Sequence, residues 1–244
     1  MKNTKYPNNV EFLVYGDYGL FSDPILRVGG EKCTYQIPTY EALKGILHSV
    51  YWKPTILWVI DKVRVLNPIQ TEVKGIRTLK YNKNESSLSY YTYLKNCAYQ
   101  VQAHFEWNEN HPELAGDRNE NKHHEIAKKM IRKGGRRDVF LGTRECQGYV
   151  EPCVFGEGTG AYDAIPELSF GLMYHGITYA DQAHGEDFQN KMTVNFWYPV
   201  MKYGVIEFPE PEDCPAHKTI REMSVKTFEN DIDFIGLKEF GEVN

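Results

Sequence analysis

Tyr51, Lys122 and His123 are residue types that together could cut a phosphodiester chain. Histidine titrates near neutrality and can take or give a proton. Lysine is a fixed cation for charge developing on a phosphate. A tyrosine hydroxyl can position a neighbouring hydroxyl or exchange a proton with it, although its usual pKa of about 10 makes it a poor base until a cation lowers it. Cleavage of RNA by its own 2′-hydroxyl, which leaves a 2′,3′-cyclic phosphate, needs a proton acceptor, a proton donor and cationic stabilisation of the phosphorane. Each residue also has a plainer reading. Tyr51 lies four residues after Leu47 and can continue an apolar helix face. His123 lies three before Ile126 and four before Ala127, which suits a histidine at a core boundary, and Lys122 alone is an ordinary surface lysine. Adjacent histidines, His123 and His124, suggest a metal. Helical ligands favour i, i+3 or i+4 spacing, however, and no carboxylate completes a recognisable set, so no metal and no cofactor are expected.

About seventy residues separate Tyr51 from Lys122, so the fold must bring them together. Val10 to Tyr15 reads as a first strand, followed by a loop with Asp23-Pro24 and Gly29-Gly30. Thr39 and Glu41 open a helix whose apolar face is Leu43, Ile46, Leu47 and Val50, and Pro54 stops it. Residues 56 to 66 form a β-rich run, and the polar stretch 69 to 95 reads as a long hairpin or flap. Tyr99, Val101, Ala103, Phe105 and Trp107 then alternate with polar residues, the period of a strand. A second helix spans about 119 to 133 with Ile126, Ala127, Met130 and Ile131 as its stripe, capped by Gly134-Gly135, and Asp138 to Leu141 supplies a last short strand. The order β-α-β-β-α-β predicts an α+β, ferredoxin-like (RNA-recognition-motif) domain over residues 1–142. In that layout the end of helix one and the start of helix two share a sheet edge. Tyr51 should therefore neighbour Lys122, His123 and His124, and the free N–H groups of the second helix start should suit phosphate.

From Thr143 the pattern turns all-β, with strands expected over 168–175 and 193–208. Gly156, Gly158 and Gly160 read as a loop, not a dinucleotide fingerprint. A smaller antiparallel β domain is expected over 143–221 and an acidic tail over 222–244, with six Asp/Glu against two Lys from Glu222 onward.

The 244 residues are 41% apolar, enough for a sizeable core, and 17 tyrosines suit an interface where rings stack. Five cysteines without a CxxC pair argue against zinc or a disulfide framework. No apolar run reads as a signal peptide or membrane span, so a reduced cytoplasm and no membrane partner are expected. The net charge of −5 argues against nucleic acid until its distribution is considered: residues 118 to 144 hold nine Lys/Arg against three Asp/Glu. That cluster is either a solvated helix face or a local phosphate-binding patch.

The segments GDYGLFSDP, IPTYEALKGILHSVYWKP, DRNENKHHEI and KGGRRDVFLGTRECQGYVEPC resemble the CRISPR-associated Cascade subunits of type I-C, the fifth family in its Dvulg subtype, from about Val10 to Glu222. The resemblance implies a RAMP fold, a ferredoxin-like domain with a C-terminal β-sheet domain. It implies a metal-independent endoribonuclease that cuts CRISPR repeat RNA at the 3′ base of its hairpin and keeps the crRNA 5′ handle, beside the backbone and large subunits of the complex. The family's catalytic tyrosine falls on Tyr51, its lysine and histidine on Lys122 and His123, and its glycine-rich RNA-binding segment on Gly134 and Gly135 beside Arg136 and Arg137. His124 could share or take over the histidine's part. Two other readings stay open: a RAMP subunit that caps the crRNA handle without cutting, and an unrelated small-molecule enzyme.

Overall fold

A computed structural model describes residues 7–24, 30–79, 81 and 85–228. Strand β1 (Val10–Gly19) buries Val10, Phe12 and Val14 on one face, the period-two pattern of its sequence. A two-residue strand, β2 (Lys32–Cys33), precedes helix α1 (Tyr40–Val50). The Thr39 hydroxyl accepts the Ala42 N–H at 3.2 Å, a cap worth about 1 kcal/mol. Leu43, Ile46, Leu47 and Val50 are buried, as their spacing predicts.

The chain then runs through β3 (Ile56–Val65), β4 (Thr71–Leu79) and β5 (Ser86–Trp107). The expected flap is β4 paired antiparallel with the start of β5, from Thr71 opposite Leu94 to Leu79 opposite Ser86. Flap and alternating strand are therefore one 22-residue element. Its inner half buries Tyr99, Val101, Ala103 and Phe105.

Helix α2 (Glu120–Arg132) begins at Asn119, whose side-chain oxygen accepts the Lys122 N–H at 3.1 Å. His123, Ala127 and Ile131 are its buried residues. At its end Gly134 and Gly135 take φ of +81° and +110° and donate to the Ile131 and Met130 carbonyls at 3.0 and 2.9 Å. Only glycine adopts that left-handed turn without strain.

The last strand of the expected β-α-β-β-α-β unit differs from the sequence reading. Only Val139–Phe140 (β6) is strand there, and it pairs with β7 (Gln147–Pro152), which is the strand that lies against β1. Between them the backbone turns at Gly142 (φ +91°), where a Cβ would meet the Leu20 carbonyl oxygen at 2.0 Å. The apolar run at 139–141 was the stronger local signal, but the tight return gives the long pairing to Val150 and its neighbours.

The large sheet has ten strands in the order β6-β7-β1-β5-β3-β12-β11-β8, with β2 and β4 also on β5. Its pairings are antiparallel except that of β2 with β5. Strands β8 (Leu168–Ser169), β11 (Val200–Lys202) and β12 (Val205–Glu207) extend it beyond β3. A second, three-stranded antiparallel sheet joins β13 (Ala216–Glu222), β10 (Lys191–Trp197) and β9 (Met173–Thr178). The stretch 143–221 thus contributes to both sheets. The run expected over 193–208 is three strands: β10 ends at Trp197 in the second sheet, and β11 and β12 in the large sheet are joined by a turn at Tyr203-Gly204, both with positive φ, as a tight hairpin requires. The tail after Phe228 lies outside the described residues.

The glycine loop has a structural part. Arg64, 5% exposed, donates to the carbonyls of Glu157 and Gly158 and pairs with Asp163 at 2.8 Å, which fastens the loop over β3 and β5. A guanidinium so enclosed needs this full set of partners. Against α1, the Tyr40 ring stacks on His175 of the second sheet at 4.3 Å. No helix among the described residues is long and apolar enough to cross a membrane, and all five cysteines are free.

Candidate active site

Tyr51 leaves α1 in an extended conformation, held on both sides of its backbone. Its N–H donates to Leu47 O at 2.8 Å, and its carbonyl accepts the Trp58 indole N–H at 2.8 Å. Its hydroxyl meets His123 Nδ1 at 2.7 Å across 72 residues of sequence. The sheet-edge juxtaposition expected from the topology is thus present as a hydrogen bond.

The opposite ring nitrogen, His123 Nε2, lies 2.8 Å from the main-chain oxygen of Asp117. A carbonyl can only accept, so Nε2 carries the hydrogen. In the neutral ring Nδ1 is then a lone pair, and Tyr51 is the donor. His123 is 0% exposed and Tyr51 3%, with the Phe105 and Trp107 rings around the imidazole at 6.2 and 5.7 Å. In so dry a setting the Tyr–His bond is strong, and a missing partner would be costly.

Lys122 joins the pair through Asp117. Its ammonium lies 2.5 Å from Asp117 Oδ1, and the lysine side chain is 47% exposed. Asp117 Oδ2 accepts the Thr55 hydroxyl at 3.0 Å and lies 3.5 Å from His123 Nε2. Burial raises the Asp117 carboxyl, but the Lys122 and Thr55 hydrogen bonds and the lysine charge outweigh it, so it titrates below its usual range. Burial, aided by the Asp117 charge and opposed by Arg136, pushes the Tyr51 hydroxyl up to about 12. Tyr51 therefore enters any reaction at neutral pH as a protonated group.

The glycine-arginine segment docks on the same helix end. The N–H groups of Arg136 and Arg137 both donate to Ser49 O, at 3.2 and 3.0 Å, two residues before Tyr51. Both arginine side chains are exposed. His124 turns away: its Nε2 meets Asn9 O at 2.9 Å, in a groove shared with Lys128 and Arg132. The helix start is partly occupied, since the Asn119 cap takes the Lys122 N–H. Sequence reasoning missed Asp117, although it stands first in the segment DRNENKHHEI, and it missed the Thr55 hydroxyl that steadies it. It also passed over Trp52, which follows Tyr51 and is 46% exposed. No group of three or more His, Cys, Asp or Glu among the described residues could hold a metal ion.

Comparison with known proteins agrees with the motifs. A family model described as CRISPR-associated protein (Cas_Cas5), Cas5d type, matches residues 10–209. A protein from Mannheimia succiniciproducens named CRISPR pre-crRNA endoribonuclease Cas5d is 28% identical over 231 residues, covering 83% of this chain and 95% of its own. A crystal structure of a CRISPR-associated protein superposes with a TM-score of 0.73 at 34% identity, covering 86% of this chain and 96% of that one. A functionally uncharacterized protein from Streptococcus mutans, SMU1763c, gives 0.71 at 36% identity, with 86% and 97% covered. With a model match over most of its length and relatives above 30% identity along nearly their whole chains, this chain belongs to the Cas5d family of CRISPR-associated proteins.

Proposed function

We propose that this chain is a pre-crRNA endoribonuclease that cuts CRISPR repeat RNA at the 3′ base of its hairpin by 2′-hydroxyl attack, without a metal. It then stays on the crRNA 5′ handle beside the backbone and large subunits of a type I-C Cascade assembly. The observation that carries this reading is the 2.7 Å bond between Tyr51 and His123. The attacking 2′-hydroxyl gives its proton to Tyr51 Oη as the tyrosine proton passes to His123 Nδ1. The 2′-oxygen bonds to phosphorus as the bond to the 5′-oxygen breaks, the 5′-oxygen takes a proton from water, the hydroxide so formed takes back the proton held on His123 through Tyr51, and a 2′,3′-cyclic phosphate remains. Lys122, the solvent-facing cation, meets the charge on the phosphorane. Gly134, Gly135, Arg136 and Arg137 hold the RNA backbone, and Trp52 offers a ring face to a base. The strand order β7-β1-β5-β3, with α1 and α2 as crossovers, supports a ferredoxin-like core over residues 1–142 with its last strand borrowed from the 143–221 region.

The enclosure of His123 favours a second reading, in which the chain caps the handle without cutting. Purified protein incubated with repeat RNA in EDTA separates the two. The nuclease reading expects cleavage at an undiminished rate. Activity lost in EDTA and restored by magnesium or manganese would contradict metal independence, and tight binding without cleavage would favour the cap.

RNA affinity is expected to fall with salt, because the cations of residues 118–144 release counterions from phosphates. Replacing both Arg136 and Arg137 by Ala should flatten that salt dependence and weaken binding more than it slows cleavage at saturation. A gel-shift titration at several salt concentrations checks this, and unchanged affinity removes the segment from the binding surface.

A further inference from the structure

We infer that Asp117 is a positioning residue of this site, acting on the reaction through His123 and Lys122 without touching the reacting atoms; this rests on the endoribonuclease reading above. Asp117 ends the two-turn 3-10 segment Pro112–Asp117, just ahead of the Asn119 cap of α2. It reaches both catalytic side chains with different atoms. Its main-chain oxygen takes the hydrogen of His123 Nε2 at 2.8 Å and so fixes the tautomer that leaves Nδ1 free for the tyrosine proton. Its carboxylate, 3.5 Å from the same nitrogen, faces the positive charge that the ring acquires when that proton arrives. The other carboxylate oxygen holds the Lys122 ammonium at 2.5 Å, and the Thr55 hydroxyl fixes the carboxylate at 3.0 Å.

The consequences for ground and transition state differ. Before reaction Asp117 neutralises Lys122 and limits its pull on a substrate phosphate. As charge builds on the phosphorane and on the imidazole together, the carboxylate steadies the imidazolium and keeps the ammonium in register with the phosphate. Its contribution is therefore greatest in the transition state. Among the described residues, the charged groups that act on His123 and its partner are Asp117 from the 3-10 segment, itself paired with Lys122 of α2, and Arg136 acting on Tyr51. Phe105 and Trp107 of β5 are uncharged. The pH dependence of the rate should thus respond to Asp117 above all.

Asp117→Asn keeps the main-chain carbonyl and an acceptor for Thr55 while it removes the charge. Single-turnover cleavage of repeat RNA at saturating protein, measured across pH alongside gel-shift affinity, reads the effect. The expected result is a rate lower by roughly tenfold to a hundredfold, affinity unchanged or tighter, and an acidic limb moved to lower pH, because the imidazolium loses its counter-charge. Should the Asn variant fail to fold by circular dichroism, Thr55→Ala loosens the carboxylate with every charge retained and should slow cleavage in the same direction at unchanged affinity. A folded Asn variant that cuts at the wild-type rate with an unmoved pH profile, beside an active wild type, overturns the inference alone; so does an unaffected Thr55→Ala. Wild-type protein that binds but never cuts overturns the endoribonuclease reading and the inference with it.

Discussion

A repeat RNA with a single 2′-deoxy nucleotide before the scissile phosphate is expected to bind this protein as tightly as the all-ribose RNA and to survive uncut. The substitution removes one hydroxyl and leaves every phosphate in place, so the salt-dependent contacts proposed for Lys122, Arg136 and Arg137 should be retained. It removes the nucleophile, so the loss of rate should be complete within detection. Affinity by gel shift and extent of cleavage on the same samples give the two readings. A deoxy substrate cut at the normal rate would rule out 2′-hydroxyl attack and leave the Tyr51–His123 pair without its proposed proton.

The second large effect concerns that pair. His123→Ala should lower the single-turnover rate by about 10²–10⁴-fold, the usual scale of a lost acid–base group, with little loss of affinity. His123 is wholly enclosed and satisfied at both nitrogens, so its removal also leaves a void and strands the Tyr51 hydroxyl. The variant should therefore melt earlier, and rates belong at a temperature where it is folded. Tyr51→Phe is the cleaner probe. It keeps the buried ring and removes only the hydroxyl, leaving Nδ1 without its donor at a cost of about 1–3 kcal/mol in stability. A purely packing role for Tyr51 predicts that destabilisation and a normal rate; the proton path predicts a rate collapse at temperatures where the protein is folded. His124→Ala forfeits the bond to Asn9 O, away from Tyr51, and should cut nearly as fast as wild type. The reverse pattern, with His124→Ala dead and His123→Ala nearly silent, would move the role to the neighbouring residue.

Local rules made the helices legible, and the helices carry the site. Leu43, Ile46, Leu47 and Val50 on α1, Thr39 as its cap, and Gly134-Gly135 as the stop of α2 are each signals written within a few residues. Once two helices and the strands between them are in order, sheet geometry brings Tyr51 to His123. What stayed hidden depended on distant pairing. β7 carries Gln147, Gly148 and Glu151 and looks like loop until Val150 meets Val14 of β1. The β8, β11 and β12 strands fall within the runs expected over 168–175 and 193–208, but at two or three residues each their division has no period to mark it, and their place in the large sheet rests on β12 pairing with β3. Tyr51 illustrates both limits: its spacing after Leu47 fits the core, where its ring is, while its hydroxyl serves a histidine that no local pattern connects to it. Asp117 was passed over because its spacing fits no metal set and it precedes the helix. Its significance lies in three contacts that only the folded chain creates.

The most direct test of the central claim is the chemistry of the cut end. Purified protein is incubated with repeat RNA in EDTA, and the 5′ fragment is weighed by mass spectrometry. Attack by the 2′-hydroxyl predicts a fragment ending in a 2′,3′-cyclic phosphate, formed without added metal. A 5′ fragment ending in a free 3′-hydroxyl, or one that forms only when a divalent cation is supplied, would contradict the account.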